Sequence, residues 1–262
     1  MKEELIISKM RYPSPHPKID LFIITYWSMG LKVKGMLAEP KGDQLLDGFL
    51  YLRGGMGQVG KVRPARLIEF ASQGFIVFAP FYRGNEGGQG KDGFGGLDRY
   101  DAYKGFELLK NHPKVNNVHL FGFSRGGLMA LWTAITFPKA SSCVVWNGVV
   151  DVEKTYHERH DLKRMLKRVI GGTPMKYPER YALRNPLNEI EKLQVPVLII
   201  HGKKDENVLF SHAEQLEEAL QTHQKKYQTI FKENSNHFFE PKLNRQVVDV
   251  LCQWMKNNSK KN

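Results

Sequence analysis

Ser124, Asp205 and His237 occur in the order and at the spacing that nucleophilic acyl transfer needs. Ser124 is the centre of Gly122-Phe123-Ser124-Arg125-Gly126, a Gly-x-Ser-x-Gly stretch that follows the apolar run Asn117–Phe121 and precedes Gly127–Leu131. That pattern predicts a strand, a sharp turn and a helix. The serine would be held on a strained backbone with its Oγ above the sheet edge, and the flanking glycines would let strand and helix pass closely.

A serine so placed needs a base, and the base needs an orienting acid. In a βα framework both come from the ends of later strands, in the order Ser, Asp/Glu, His. Asp205 follows Pro196–Ile200, an aliphatic run suited to a strand buried on both faces, and so belongs to the loop at that strand's C-terminal end. Glu206 beside it and Asp151, after Cys143–Trp146, are the rival acids. His237 lies where the strand pattern Tyr227–Phe231 runs into a polar turn before the last helix. His201 precedes the acid and is expected to pack or bond locally. The spacings, 81 residues from Ser124 to Asp205 and 32 from there to His237, leave room first for two βα units with an insertion and then for one helix and one strand.

Attack on a carbonyl creates an oxyanion that needs preorganised N–H donors. Arg125 offers one backbone N–H at the helix start. Phe49–Leu52 followed by Arg53-Gly54-Gly55-Met56-Gly57 offers the second, which we assign to Gly55; the other reading of these glycines is a tight turn and nothing more.

These residues must be positioned by alternating elements. Residues 4–38 read as extended, with Leu21–Trp27 and Lys32–Leu37 forming a hairpin around Ser28-Met29-Gly30. Strands at 49–52, 75–80, 118–121, 142–146, 196–200 and 226–231 then alternate with helices at 63–73, 97–109, 125–136, 211–223 and 242–257. Such repetition specifies an α/β fold with a mostly parallel sheet covered on both faces. Residues 152–193 break the alternation with charge-rich helical sequence, which predicts a small helical lid inserted in a single domain spanning 1–262. The tail after Lys256 is expected to fray.

Bulk properties narrow the function. No apolar run approaches a membrane span, and the N-terminus, with its acids and short apolar stretch, is unlike a secretory signal, so the expected location is cytoplasmic with no membrane partner. Cys143 and Cys252 read as buried small hydrophobes, no metal-ligand spacing occurs, and no cofactor is expected. The formal net charge of +12 is dispersed over the chain without interleaved aromatics, so no nucleic-acid partner is expected, although such a field favours anionic substrates.

From Phe49 to its end the chain resembles the catalytic domain of the prolyl oligopeptidase family within the α/β-hydrolase fold. Tyr82-Arg83-Gly84 with Gly87 is similar to that family's Tyr-Arg-Gly-Ser-x-Gly loop, and Asp98-x-x-Asp101 to its Asp-x-x-Asp helix start. Tyr181-x-x-Arg184-Asn185-Pro186-Leu187 and His201-Gly202-x-x-Asp205-x-x-Val208 follow in the same order. The resemblance implies a serine hydrolase using Ser124, Asp205 and His237. Departures are Arg125 and Arg53, which stand where the family carries an aromatic residue or histidine, and the sequence holds no N-terminal propeller. The expected substrates are therefore small esters or short peptide and acyl-amino-acid bonds, with ester chemistry favoured because an alkoxide leaves more easily than an amine. A prolyl-oligopeptidase-type peptidase and a catalytically silent binding module are the alternatives. Arg53 and Arg83 are the expected substrate-binding residues, and Arg53 with Arg125 would favour a carboxylate-bearing substrate.

Overall fold

The computed structural model describes residues 5–260. Nine strands form one sheet, in the order β1-β2-β3-β5-β4-β6-β7-β8-β9. β1 (Ile6–Tyr12), β2 (Ile19–Ser28) and β3 (Leu31–Pro40) are an antiparallel meander joined to β5 (Phe75–Pro80). From β5 onward, β4 (Leu46–Leu52), β6 (Val115–Phe123), β7 (Ser142–Trp146), β8 (Val197–Gly202) and β9 (Tyr227–Lys232) pair in parallel. The β2–β3 turn falls on Met29-Gly30 as the sequence predicts, and both residues take positive φ, 49° and 71°, the conformation that matches a two-residue hairpin to the twist of its strands.

β5, β7 and β8 are buried along their whole length, as their predominantly apolar sequences suit strands covered on both faces. Helices α1 (Pro64–Ala71) and α8 (Pro241–Asn257) pack over one face, where Phe49, Phe70 and Phe121 stack with centroids 4.3–5.4 Å apart. α2 (Arg99–Lys110), α3 (Gly126–Thr136) and α7 (Ser211–Thr222) cover the other. Between β7 and β8 run α4 (Val152–Glu158), α5 (Lys163–Ile170) and α6 (Pro178–Ala182), with 3-10 turns at His160–Leu162 and Pro186–Lys192.

Strand order reverses at β4, which has β5 on one side and β6 on the other. At such a reversal the connections leave in opposite directions and open a crevice beyond the carboxyl ends of the strands. The residues singled out in the sequence emerge there: Gly54 and Gly55 after β4, Ser124 after β6, Asp205 after β8 and His237 after β9.

The expected fraying of the tail is corrected over the described residues. Asp47 accepts from the Ser259 hydroxyl, and Asn117 accepts from the Lys260 N–H at 3.2 Å, so the tail is bonded across the N-terminal ends of β4 and β6. Residues 261–262, and residues 1–4 of the N-terminus read as unlike a secretory signal, lie outside the described residues. Among the described residues no helix is long and apolar enough to cross a membrane.

Candidate active site

Ser124 sits at the break between β6 and α3 with φ +55°, a left-handed conformation that costs a non-glycine residue about 1–3 kcal/mol and persists only where the surroundings over-determine it. They do so here. The Ser124 N–H donates to the Trp146 carbonyl at 3.1 Å, and its own carbonyl accepts from the N–H groups of Gly127 and Val149, both at 2.9 Å. The glycines are steric necessities: a Cβ on Gly122 would come within 2.2 Å of the Gly126 carbonyl oxygen, and one on Gly126 within 1.9 Å of the Leu52 oxygen.

The Asp205 carboxylate is divided in its duties. Oδ1 accepts the N–H groups of Asn207 and Val208 at 2.8 and 3.0 Å, and Oδ2 lies 2.8 Å from His237 Nδ1. Both residues are buried, and the His237 ring is flanked by Phe123 and Phe238 at centroid distances of 4.8 and 5.1 Å. His201 binds the Val208 carbonyl through Nε2 at 2.9 Å, the local role expected of it. The rival acids are placed elsewhere: Glu206 is exposed, and Asp151 caps α4 by accepting the Lys154 N–H.

Ser124 and His237 line one cavity of about 770 Å³, together with Gly54, Gly55 and the Arg125 position. Its walls are largely apolar, from Met56, Val59, Phe94 and Trp146 to Leu162 and Met165 of the β7–β8 segment. Gly55 has φ +65°, and a Cβ there would lie 2.3 Å from the Val59 carbonyl oxygen, so the loop can close tightly only with glycine at this position.

Three arginines behave differently from the sequence expectation. Arg53, 2% exposed, donates to the carbonyls of Gly54, Val59 and Phe81, stitching the glycine loop to the end of β5. Arg83 pairs with Asp101 at 2.7 Å and also donates to Ser28, so the two resemblance motifs that carry them bind one another. Neither Arg53 nor Arg83 lines the cavity, because each guanidinium is drawn inward by acceptors that would otherwise be buried unpaired. Arg125 turns its side chain beneath the elbow to Asp92 and Asp98, over the rings of Tyr82 and Phe94. Burial works against ionisation of both carboxyls; the Arg125 charge outweighs it at Asp92, held below the ordinary range, whereas Asp98 is pushed up. The cationic site expected from Arg53 and Arg125 is thus offset by a loop acid and by burial.

Asn147 is a site residue that the motifs did not reveal. It follows β7, is fully buried, and donates through Nδ2 to the His237 carbonyl at 2.8 Å while its Oδ1 accepts the Gly202 N–H at 2.9 Å. The available signal was positional: a polar side chain directly after an apolar strand, at the same sheet edge as Ser124 and Asp205. Among the described residues no group of three or more His, Cys, Asp or Glu side chains could hold a metal.

The sequence profile of the prolyl oligopeptidase family matches residues 62–262. The chain belongs to that family. The chain is similar to an uncharacterized peptidase of Bacillus subtilis (strain 168), YtmA, 54% identical over 97% of this chain and 100% of its own. An acylaminoacyl peptidase of Pyrococcus horikoshii superposes with a TM-score of 0.78 at 17% identity over 100% of this chain, which spans 43% of that longer protein. Acetyl xylan esterase 1 from Thermoanaerobacterium sp. JW/SL YS485 superposes at 0.76 and 15% identity, covering 98% of this chain and 89% of the esterase. Family membership makes the protein a serine hydrolase of the peptidase-or-esterase kind, and the structural neighbours share its α/β-hydrolase fold.

Proposed function

We propose that the protein hydrolyses small carboxylic esters and short peptide or acyl-amino-acid bonds through an acyl-enzyme on Ser124. The observation that carries the proposal is that His237, paired with the buried Asp205, lines one cavity with Ser124 on its elbow. His237 removes the Ser124 hydroxyl proton as Oγ attacks the scissile carbonyl, and Asp205 holds the Nδ1–H tautomer and stabilises the imidazolium. The backbone N–H groups of Gly55 and Arg125 receive the oxyanion. His237 then protonates the departing alkoxide or amine, leaving the acyl group on Ser124. Water, deprotonated by His237, attacks that ester and releases the carboxylic acid and free Ser124.

The activities for which the structural neighbours are named, those of an acylaminoacyl peptidase and an acetyl xylan esterase, support both substrate classes. Esters are placed first because departure of an alkoxide needs less assistance than departure of an amine. Labelling with a fluorophosphonate probe, followed by peptide mass mapping, tests the nucleophile: stoichiometric modification at Ser124, absent in Ser124→Ala, is expected. Absence of labelling in the intact protein would sink the proposal. A higher kcat/KM for an aminoacyl amide than for its matched ester would reverse the order of substrates.

A further inference from the structure

We infer that Arg63 is an anion-reading residue at the mouth of the cavity and that it selects substrates bearing a carboxylate away from the scissile bond. The inference rests on the hydrolase reading above and moves charge recognition from Arg53 and Arg83 to residues that line the cavity.

Five cations contribute to the cavity lining, and no Asp or Glu among the described residues does. Four of the five are already engaged. Lys61 pairs with Glu86 at 2.8 Å, Arg66 with Glu69, Arg125 with Asp92, and Arg159 with Asp161 through two nitrogens. Arg63 is exposed, and among the described residues no carboxylate lies within ion-pair distance of it. It stands at the N-cap of α1, where its side chain makes no cap bond and the first turn holds no acid. With no carboxylate among the described lining residues and the other four cations paired, this one uncompensated guanidinium sets the sign of the field at the opening. A planar guanidinium with free donors suits a carboxylate, which it can grip with two parallel hydrogen bonds. A protonated amine would meet no carboxylate in the lining and would be repelled.

Paired substrates test this. On the acyl side, the 4-nitrophenyl monoesters of adipic and suberic acid are compared with 4-nitrophenyl hexanoate and octanoate. On the leaving-group side, 4-acetoxybenzoate is compared with its methyl ester. The quantity read is the anionic-to-neutral ratio of kcat/KM in Arg63→Gln relative to wild type, in which the intrinsic reactivities of the substrates cancel. At low salt this ratio is expected to fall about tenfold in at least one pair, and the wild-type preference to decline as sodium chloride is raised. Lys18→Gln removes the same charge from an exposed position outside the lining and is expected to leave the ratio unchanged. Ratios unaltered by Arg63→Gln in every pair, with neutral esters turned over, overturn the inference alone. Failure of wild type to hydrolyse any ester or to label at Ser124 overturns the hydrolase reading and this inference together.

Discussion

The Asn147 side chain ties the His237 carbonyl to the end of β8: Nδ2 donates to His237 O at 2.8 Å and Oδ1 accepts the Gly202 N–H at 2.9 Å. One buried amide therefore joins the turn after β7 to the last residue of β8 and to the loop after β9. His237 is held by its main chain through Asn147 and by its ring through Asp205.

Removing that amide should loosen the base. Asn147→Gly tolerates the positive φ of 44° yet loses both bonds, whereas Asn147→Ala also strains the backbone. Both variants should lose about 2–3 kcal/mol in urea unfolding, from buried groups left unpaired. The kcat/KM for esters should fall by about one to two orders of magnitude, because a base displaced by an ångström loses its alignment. Wild-type kcat/KM in Asn147→Gly would show that the amide does not position His237.

Gly55→Ala places a methyl 2.3 Å from the Val59 carbonyl oxygen at φ +65°, so the loop must shift and carry its N–H away. If that N–H receives the oxyanion, kcat should fall roughly 10²–10³-fold while KM changes little. An unchanged kcat, with the substitution verified, would assign the second donor elsewhere.

Arg125→Met should destabilise the protein by about 3–5 kcal/mol, because Asp92 and Asp98 lose the cation that offsets their burial. Adding Asp92→Asn should recover part of that loss. A loss below about 1 kcal/mol in equilibrium unfolding would mean that the acids are compensated without Arg125.

Asp47 links the tail to the sheet and supplies a stability term that depends on pH. Burial raises its carboxyl, but bonds from His119, Ser259 and Asn117 outweigh burial and hold it at about 2, below the ordinary 3.8. A carboxyl depressed in the folded state stabilises it above pH 3.8, and that contribution is lost as pH falls towards 2. For this partly buried group it amounts to about 1 kcal/mol after solvent screening. Asp47→Asn should flatten the unfolding free energy between pH 4 and 2 and speed proteolysis of the C-terminal tail. An identical pH slope in variant and wild type would refute the link.

Sequence order by itself determined the βα alternation and the hairpin at Met29-Gly30. It also picked out the serine, acid and histidine that the fold brings to one sheet edge. Such features are local or periodic: a buried strand needs an unbroken apolar run, and a tight elbow needs glycine where a carbonyl passes within about 2 Å. Helix ends were legible to within about two residues, since caps such as Arg63 and Asp98 make no side-chain bond that would mark them. Tertiary structure alone decided where the charges point. Arg53 and Arg83 sit beside chemistry-bearing motifs in sequence, yet Gly54 O, Phe81 O and Asp101 draw them into the core. Arg63 carries no motif, and only the path of the glycine loop and the opening of the cavity leave it in the lining with no carboxylate among the described residues within ion-pair distance. A side chain's sequence neighbours do not reveal which carbonyls and carboxylates the rest of the chain will bring within 3 Å, and for a long flexible cation those partners determine its role.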